Sequence, residues 1–202
     1  MPKIIDKIQK KQGIALSSIE LFIEKGFTKL TVGEIASNAK VAKGTIYKYF
    51  ESKEDIIFAI IEYTHNKYDE EVLENIKQLT CINDKILALF NLCISNDEDT
   101  INDRKIYKEF IYICLDNPSE NMIKFLKDIK LKYTSWLKEI LEEGIKNKQL
   151  KPEAINFADA LFAIGENILL FSHINNYSDR NMLQNHIDSL LKLIKIGECS
   201  ND

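Results

Sequence analysis

The residues best placed to do chemistry in this 202-residue chain sit in one short run, Lys43-Gly44-Thr45-Ile46-Tyr47-Lys48-Tyr49-Phe50. Ile46 and Phe50 are four apart, the spacing that puts two side chains on one helical face. If that face anchors the run to a core, Lys43, Thr45, Tyr47 and Lys48 point outward. Two cations, a hydroxyl and a phenol on a short helix can neutralise phosphates and hydrogen-bond base edges, and such a helix fits the major groove of B-DNA.

Catalysis has less to build on. Glu62-Tyr63-Thr64-His65 is a Glu-x-x-His, the unit of di-iron bundles, but those sites need two such units plus further carboxylates, and the chain has one. No H-E-x-x-H, phosphate loop or dinucleotide glycine pattern occurs, and His65, His173 and His186 are scattered. The four cysteines, Cys81, Cys93, Cys114 and Cys199, form no C-x-x-C pair or usual zinc spacing. The residues therefore predict neither an enzyme nor a metal or cofactor protein, and unpaired thiols in a reducing cytosol, the alternative being a redox sensor.

The elements that must position the 43–50 run are legible around it. Ile8, Ala15, Ile19 and Phe22 mark one face of a helix over about 3–25, and Gly26 suits the left-handed position that ends helices. Thr31-Val32-Gly33-Glu34 is a capping box that opens a short helix, about 32–38. A four-residue break precedes the next, about 43–49. Ser52-Lys53-Glu54-Asp55 opens a long helix to about Leu79. Two short helices across a tight turn, braced by a longer one, form a helix-turn-helix. Ile35 and Ala36 would pack the first, Val41 would plug the turn, and small Ala39 would permit close approach.

Net charge is −4, yet residues 1–60 hold ten Lys against seven Asp or Glu, a net +3, and the rest of the chain carries −7. A basic head on an acidic body can bind a polyanion through the head alone. Further helices are expected near 83–96, 101–116, 119–147, 153–175 and 179–197, with Pro118 and Pro152 marking breaks. The expected fold is all-α, about nine helices, with a head over 1–52 and a helical bundle over 53–202. The charged start argues against a leader peptide, and the 157–171 stretch reads as too short and polar to span a membrane.

The run ELFIEKGFTKLTVGEIASNAKVAKGTIYKYFESKEDI resembles the N-terminal signature of the TetR/AcrR family of bacterial regulators, over roughly residues 14–57. Lys40 departs from the glycine usual in the turn, Ala42 from the serine that often caps the recognition helix, and Gly33 leaves the first short helix without a long polar side chain. The resemblance implies that Lys43, Thr45 and Lys48 touch bases or nearby phosphates and that Gly44 lets the DNA backbone come close. It implies that Tyr47 and Tyr49 contact phosphates, sugars or thymine methyls, that Lys53 clamps a phosphate, and that Thr31 offers another phosphate contact. A homodimer and a small-molecule effector are implied as well.

For the body, the 157–171 stretch is apolar almost all round, and Leu183, Ile187, Leu190 and Ile194 form a stripe. Ala158, Leu161, Phe162, Gly165 and Leu169 with that stripe are expected at a four-helix dimer interface, the alternative being an intrachain core. Phe90, Tyr107, Phe110, Phe125, Tyr133 and Trp136 are candidates for an effector cavity, although core packing accounts for each taken singly. Glu166, and Glu109 beside them, could offset a cationic ligand. The expected function is a sequence-specific DNA-binding regulator in the cytoplasm, a repressor released from a palindromic operator by a small apolar or cationic aromatic effector. The alternative is a ligand-independent architectural or division-control protein on the same fold.

Overall fold

The computed structural model describes residues 2–175 and 179–196, the side chains of 2–6 and 175 excepted. Cys199 lies outside the described residues. In chain order the elements are α1 (Pro2–Ser17), α2 (Ile19–Lys29), α3 (Val32–Asn38), α4 (Lys43–Ile46), α5 (Lys53–Gln78), α6 (Ile82–Leu89), α7 (Asn91–Ile94), α8 (Glu98–Asp116), α9 (Glu120–Lys146), a 3₁₀ stretch (Pro152–Phe157), α10 (Ala158–Asn175) and α11 (Arg180–Ile194). The fold is all-α. Among the described residues the one extended pairing is an isolated antiparallel bridge, Leu150 to Lys195.

Among the described residues eleven helices replace the nine expected, for local reasons. The 3–25 helix breaks at Ser18, where the Ser17 and Ser18 hydroxyls both donate to the Ile14 carbonyl at 2.9 Å. Such back-bonding competes with the helical ladder and bends it. The 83–96 helix divides at Phe90, whose backbone (φ −102°, ψ 21°) has left the helical region. Gly26 has a positive φ of 71°, as a helix-ending glycine should, but its ψ of 163° is extended rather than left-handed helical. Essentially only glycine enters that region.

The chain forms two compact units. One holds the described residues up to Asp69 together with Ile101–Met122, and the other holds Glu70–Thr100 and the described residues from Ile123 onward. In the first, Ile14, Ala15, Phe22, Leu30, Ile35, Ile46, Phe50, Ile56, Ile57 and Ile60 are buried in one apolar centre. The ring of Phe58 on α5 stacks on Phe110 of α8, with centroids 5.8 Å apart. Burying side chains of this size stabilises by about 1.5–3 kcal/mol each.

In the second unit, α10 packs on α7 and α11, and α11 on α6. A half-buried ion pair, Lys85 Nζ to Glu143 at 2.6 Å, ties α6 to α9. Within the 23 residues Pro152–Ile174, an 18-residue window reaches a mean hydropathy of 1.4, and a third of that window is buried inside the chain. By length and composition it is therefore long and apolar enough to cross a membrane, contrary to the expectation from sequence. Asp159 and Glu166 lie within it.

Candidate nucleic-acid interface

The site begins with the capping box. The Glu34 amide donates to Thr31 Oγ1 at 3.2 Å, and the Thr31 amide and hydroxyl both donate to Glu34 Oε2. Lys25 Nζ reaches the other carboxylate oxygen at 2.5 Å. The lysine, the hydroxyl and the amide together hold the Glu34 carboxyl down to about 2. The Thr31 hydroxyl thus serves the cap as both donor and acceptor, and a phosphate would have to share it.

The turn between α3 and α4 is closed by the Val41 amide donating to the Ala36 carbonyl at 2.9 Å. Lys40 occupies it at φ 54°. That backbone favours glycine, and a lysine there stores roughly 1–2 kcal/mol of strain. Ala42 precedes α4 without a side-chain cap. The regular helix is shorter than the 43–49 expected, and it continues to Phe50 as a tightened turn, with the Tyr49 amide on Ile46 and the Lys48 amide on Thr45.

Ile46 and Phe50 are buried as anchors. Lys43, Gly44, Tyr47 and Lys48 are exposed, and Thr45 and Tyr49 are half-buried. A Cβ built on Gly44 meets nothing within 4 Å, so nothing in the fold itself calls for glycine there. Lys53 differs from a free clamp. Its ammonium donates to the Phe27 and Leu30 carbonyls at 2.6 and 2.9 Å and lies 4.1 Å from the Phe27 ring centroid. Two of its three donors are already used to tie α5 to the segment before α3. Ser52 and Asp55 cap α5 as expected, the Asp55 amide donating to Ser52 Oγ and the Ser52 amide to Asp55 Oδ2.

The aromatic candidates fall into separate groups. Tyr107 and Phe110 meet in the first unit, 6.2 Å apart, beside Phe58. In the second, Tyr133 meets Trp136 at 5.1 Å and Phe162 at 6.4 Å, with Lys132 Nζ 5.6 Å from the Trp136 ring. Phe90 is buried against Gly165, and Phe125 is half-buried on α9. Glu166 keeps part of its surface exposed, and desolvation of its carboxyl raises it above the usual range. Glu109 turns towards the head, its Oε1 3.5 Å from where a Gly26 Cβ would sit.

The residues expected at the dimer face are mostly interior. Ala158, Leu161, Gly165, Leu169, Leu183, Ile187 and Ile194 are buried within the chain, and Phe162 and Leu190 are half-buried. The stripe that α11 buries is Leu183-Ile187-Leu191-Ile194, which its own chain covers. The apolar residues left outside are Leu170, Phe171 and Ile174 on α10, Leu193 on α11, and Ile196 just beyond it. Sequence reasoning missed this set, whose signal was that α10 is apolar on more faces than one intrachain contact can use.

Elsewhere, His65 Nε2 lies 3.7 Å from Asp69 Oδ1 within α5, and no three potential metal ligands converge among the described residues. Cys81 is exposed, Cys93 is buried, and partial burial raises the Cys114 thiol to about 11.

Residues 16–60 match the family model described as bacterial regulatory proteins, tetR family. The chain is 34% identical over 79 residues to the HTH-type transcriptional regulator HbdR of Aromatoleum sp. (strain CIB), covering 39% of this chain but only 34% of that protein. It is 28% identical over 145 residues to the fatty acid metabolism regulator protein of Bacillus subtilis (strain 168), covering 72% and 73% of the two chains. The crystal structure of the transcriptional regulator FadR from Bacillus subtilis in complex with stearoyl-CoA superposes with a TM-score of 0.60 at 23% identity, over 89% of this chain and 96% of that one. Members of the family are transcription regulators rather than enzymes. The capped helix-turn-helix, the all-α fold and these likenesses agree in supporting a DNA-binding transcriptional regulator of the TetR family, the family whose model residues 16–60 match.

Proposed function

We propose that the protein is a homodimeric repressor that occupies a near-palindromic operator and is released by a small apolar or cationic aromatic effector. The observation that carries the DNA half is the division of labour along 43–50. Ile46 and Phe50 serve the core, while Lys43, Gly44, Tyr47 and Lys48 stay in water although the fold needs none of them there. A symmetric dimer presents two such segments, and a two-fold protein reads a site with matching dyad symmetry. A DNA partner supports a cytoplasmic location.

The dimer is supported by the apolar residues left uncovered on α10 and at the end of α11. A second copy suits that face better than a bilayer does, because exposed Asp159, Glu166 and Asn167 share α10 with it, and carboxylates are expensive in hydrocarbon. The effector is supported by the Tyr133-Trp136-Phe162 group, with Glu166 one turn beyond Phe162 on α10. Aromatic walls with one acidic group suit an apolar or cationic ligand. The stearoyl-CoA held by the Bacillus subtilis structure supports an effector with a long apolar part.

Helix α5 carries the coupling. Its Ile56, Ile57 and Ile60 are buried in the first unit, and it belongs to the second from Glu70 on. An effector that prefers the DNA-incompetent arrangement releases DNA, and reciprocity requires DNA to weaken the effector by the same factor, ordinarily ~1–3 kcal/mol. The test is a panel of long-chain acyl thioesters and cationic aromatics, each titrated against the protein with and without saturating operator. Equal affinity in the two cases contradicts the coupling. Retention of DNA across the whole panel favours the ligand-independent regulator.

A further inference from the structure

Helix α1 changes character along a single face. Ile14 and Ala15, and Ser18 just after the helix, are all but fully buried. Stepping back by threes and fours from them gives Lys11, Lys10 and Lys7, all exposed. The face that packs on the head in the C-terminal half of the helix thus becomes a row of ammonium groups where α1 runs past the core. Ile8, seven before Ala15 on the same face, is exposed as well, so this end of the face is not covered by the described part of the chain. The overhang up to Ala15 precedes the segment that matches the family model, residues 16–60.

The row starts beside the DNA-reading segment. Lys11 Nζ lies 5.4 Å from the centroid of the Phe50 ring, and Phe50 closes the turn that carries Lys48 and Tyr49. The Lys11 charge also reaches Glu62 on α5, where it opposes the rise that burial causes in that carboxyl. Lys7 and Lys10 lie a turn further out, with Asp6 the one acidic residue in Pro2–Ser17. Cations lined up with so little acidic compensation fit a polyanion that extends beyond the recognition helix.

We infer that α1 is a second DNA-binding element, in which Lys7 and Lys10 neutralise backbone phosphates of the duplex that α4 enters. This rests on the DNA-binding reading above. The contact is to phosphate, so it lengthens the footprint and strengthens binding to every sequence alike without adding base discrimination.

The experiment measures binding to a random-sequence duplex of about 30 base pairs as a function of salt, because the slope of log K against log salt counts neutralised phosphates at about 0.9 each. The expected result for Lys7→Ala/Lys10→Ala is a slope shallower by nearly two for each protomer on the duplex, and so by about 3.6 for the dimer. A matched pair on α9, Lys124→Ala/Lys127→Ala, removes the same net charge and should leave the slope of the wild type. An unchanged slope in the α1 variant overturns the inference, and so does an equal fall in the α9 pair, which would mean net charge alone is being read. If Lys43→Ala weakens binding while the α1 variant does not, only this inference fails. If the wild-type chain does not bind duplex DNA at low salt, the DNA-binding reading fails and takes the inference with it.

Discussion

Gly165 presses its backbone against the ring of Phe90 so closely that an added Cβ would lie 2.3 Å from Phe90 Cε1. Glycine there serves contact between α10 and the α6–α7 corner of the same chain. Gly165→Ala should overpack this site and lower stability by about 1–3 kcal/mol in urea unfolding, with the oligomeric state of the folded fraction unchanged. A Gly165→Ala protein of wild-type stability would show that the corner yields freely.

The dimer should respond to the outer face of α10 instead. Leu170→Asp/Ile174→Asp should sediment as a soluble, helical monomer at micromolar concentration, because both residues are exposed in the single chain. Leu183→Asp should fail to fold, since that side chain is fully buried. A double variant that sediments like the wild type would place the partner face elsewhere.

Gly44→Ala separates folding from function. Ala at a helical position in open space should stabilise the head by about 0.4–1 kcal/mol through the unfolded state, since a methyl group meets no neighbour. The same methyl should weaken operator binding if the DNA backbone comes close at that point. Thermal melts and DNA titrations on one preparation should therefore move in opposite directions. A gain in stability with DNA affinity intact would remove Gly44 from the interface.

Acid should act on the caps in a defined window. The carboxyls of Glu34 and Asp97 are held at about 2, each mainly by hydrogen bonds that the charged form accepts. A depressed folded-state value contributes stability that is fully present above the ordinary carboxylate range and is lost as pH falls towards 2. Thr31→Ala removes the hydroxyl's bond to the Glu34 carboxylate, together with the cap that the hydroxyl gives the Glu34 amide. The Glu34 titration, followed by carboxyl NMR, should move up towards the ordinary range, while that of Asp97 stays. A Glu34 midpoint that does not rise would assign its depression to Lys25 and the Thr31 amide, without the hydroxyl.

Much of this was legible in the sequence, and what was not has physical causes. The capping box at Thr31 and the buried anchors Ile46 and Phe50 followed from local rules, because a cap and an i,i+4 pair act within one turn. The break at Ser18 was missed because two serine hydroxyls competing for one carbonyl leave no mark on hydrophobic periodicity. The stripe that α11 buries in its own chain was not legible because a helix of period 3.6 offers Leu190 and Leu191 almost equally to a seam. Only the packed chain shows that Leu191 is the buried one. The place of Lys53 was hidden for another reason: its partners, the Phe27 and Leu30 carbonyls, lie more than twenty residues away in sequence.

Lys53 should accordingly behave as a brace. Lys53→Ala should destabilise the head by about 1–3 kcal/mol by removing two charge-assisted hydrogen bonds, and should weaken binding to all duplexes alike. Lys48→Ala, at an exposed position, should leave stability within about 0.5 kcal/mol of the wild type. A Lys53→Ala protein with wild-type melting and a salt slope shallower by about one unit would instead make it a phosphate clamp.

The central claim is that residues 43–49 read DNA sequence as a symmetric pair. Selection from a pool of random duplexes, run in parallel with the wild type, Thr45→Ala and Lys48→Ala, tests it most directly. The wild type should enrich a motif with dyad symmetry. Each variant should discriminate less at particular, symmetry-related positions, by ~1–3 kcal/mol wherever a good side-chain-to-base hydrogen-bond pair has been removed. An enriched motif without dyad symmetry, or variants that keep the wild-type motif unaltered, would contradict the account.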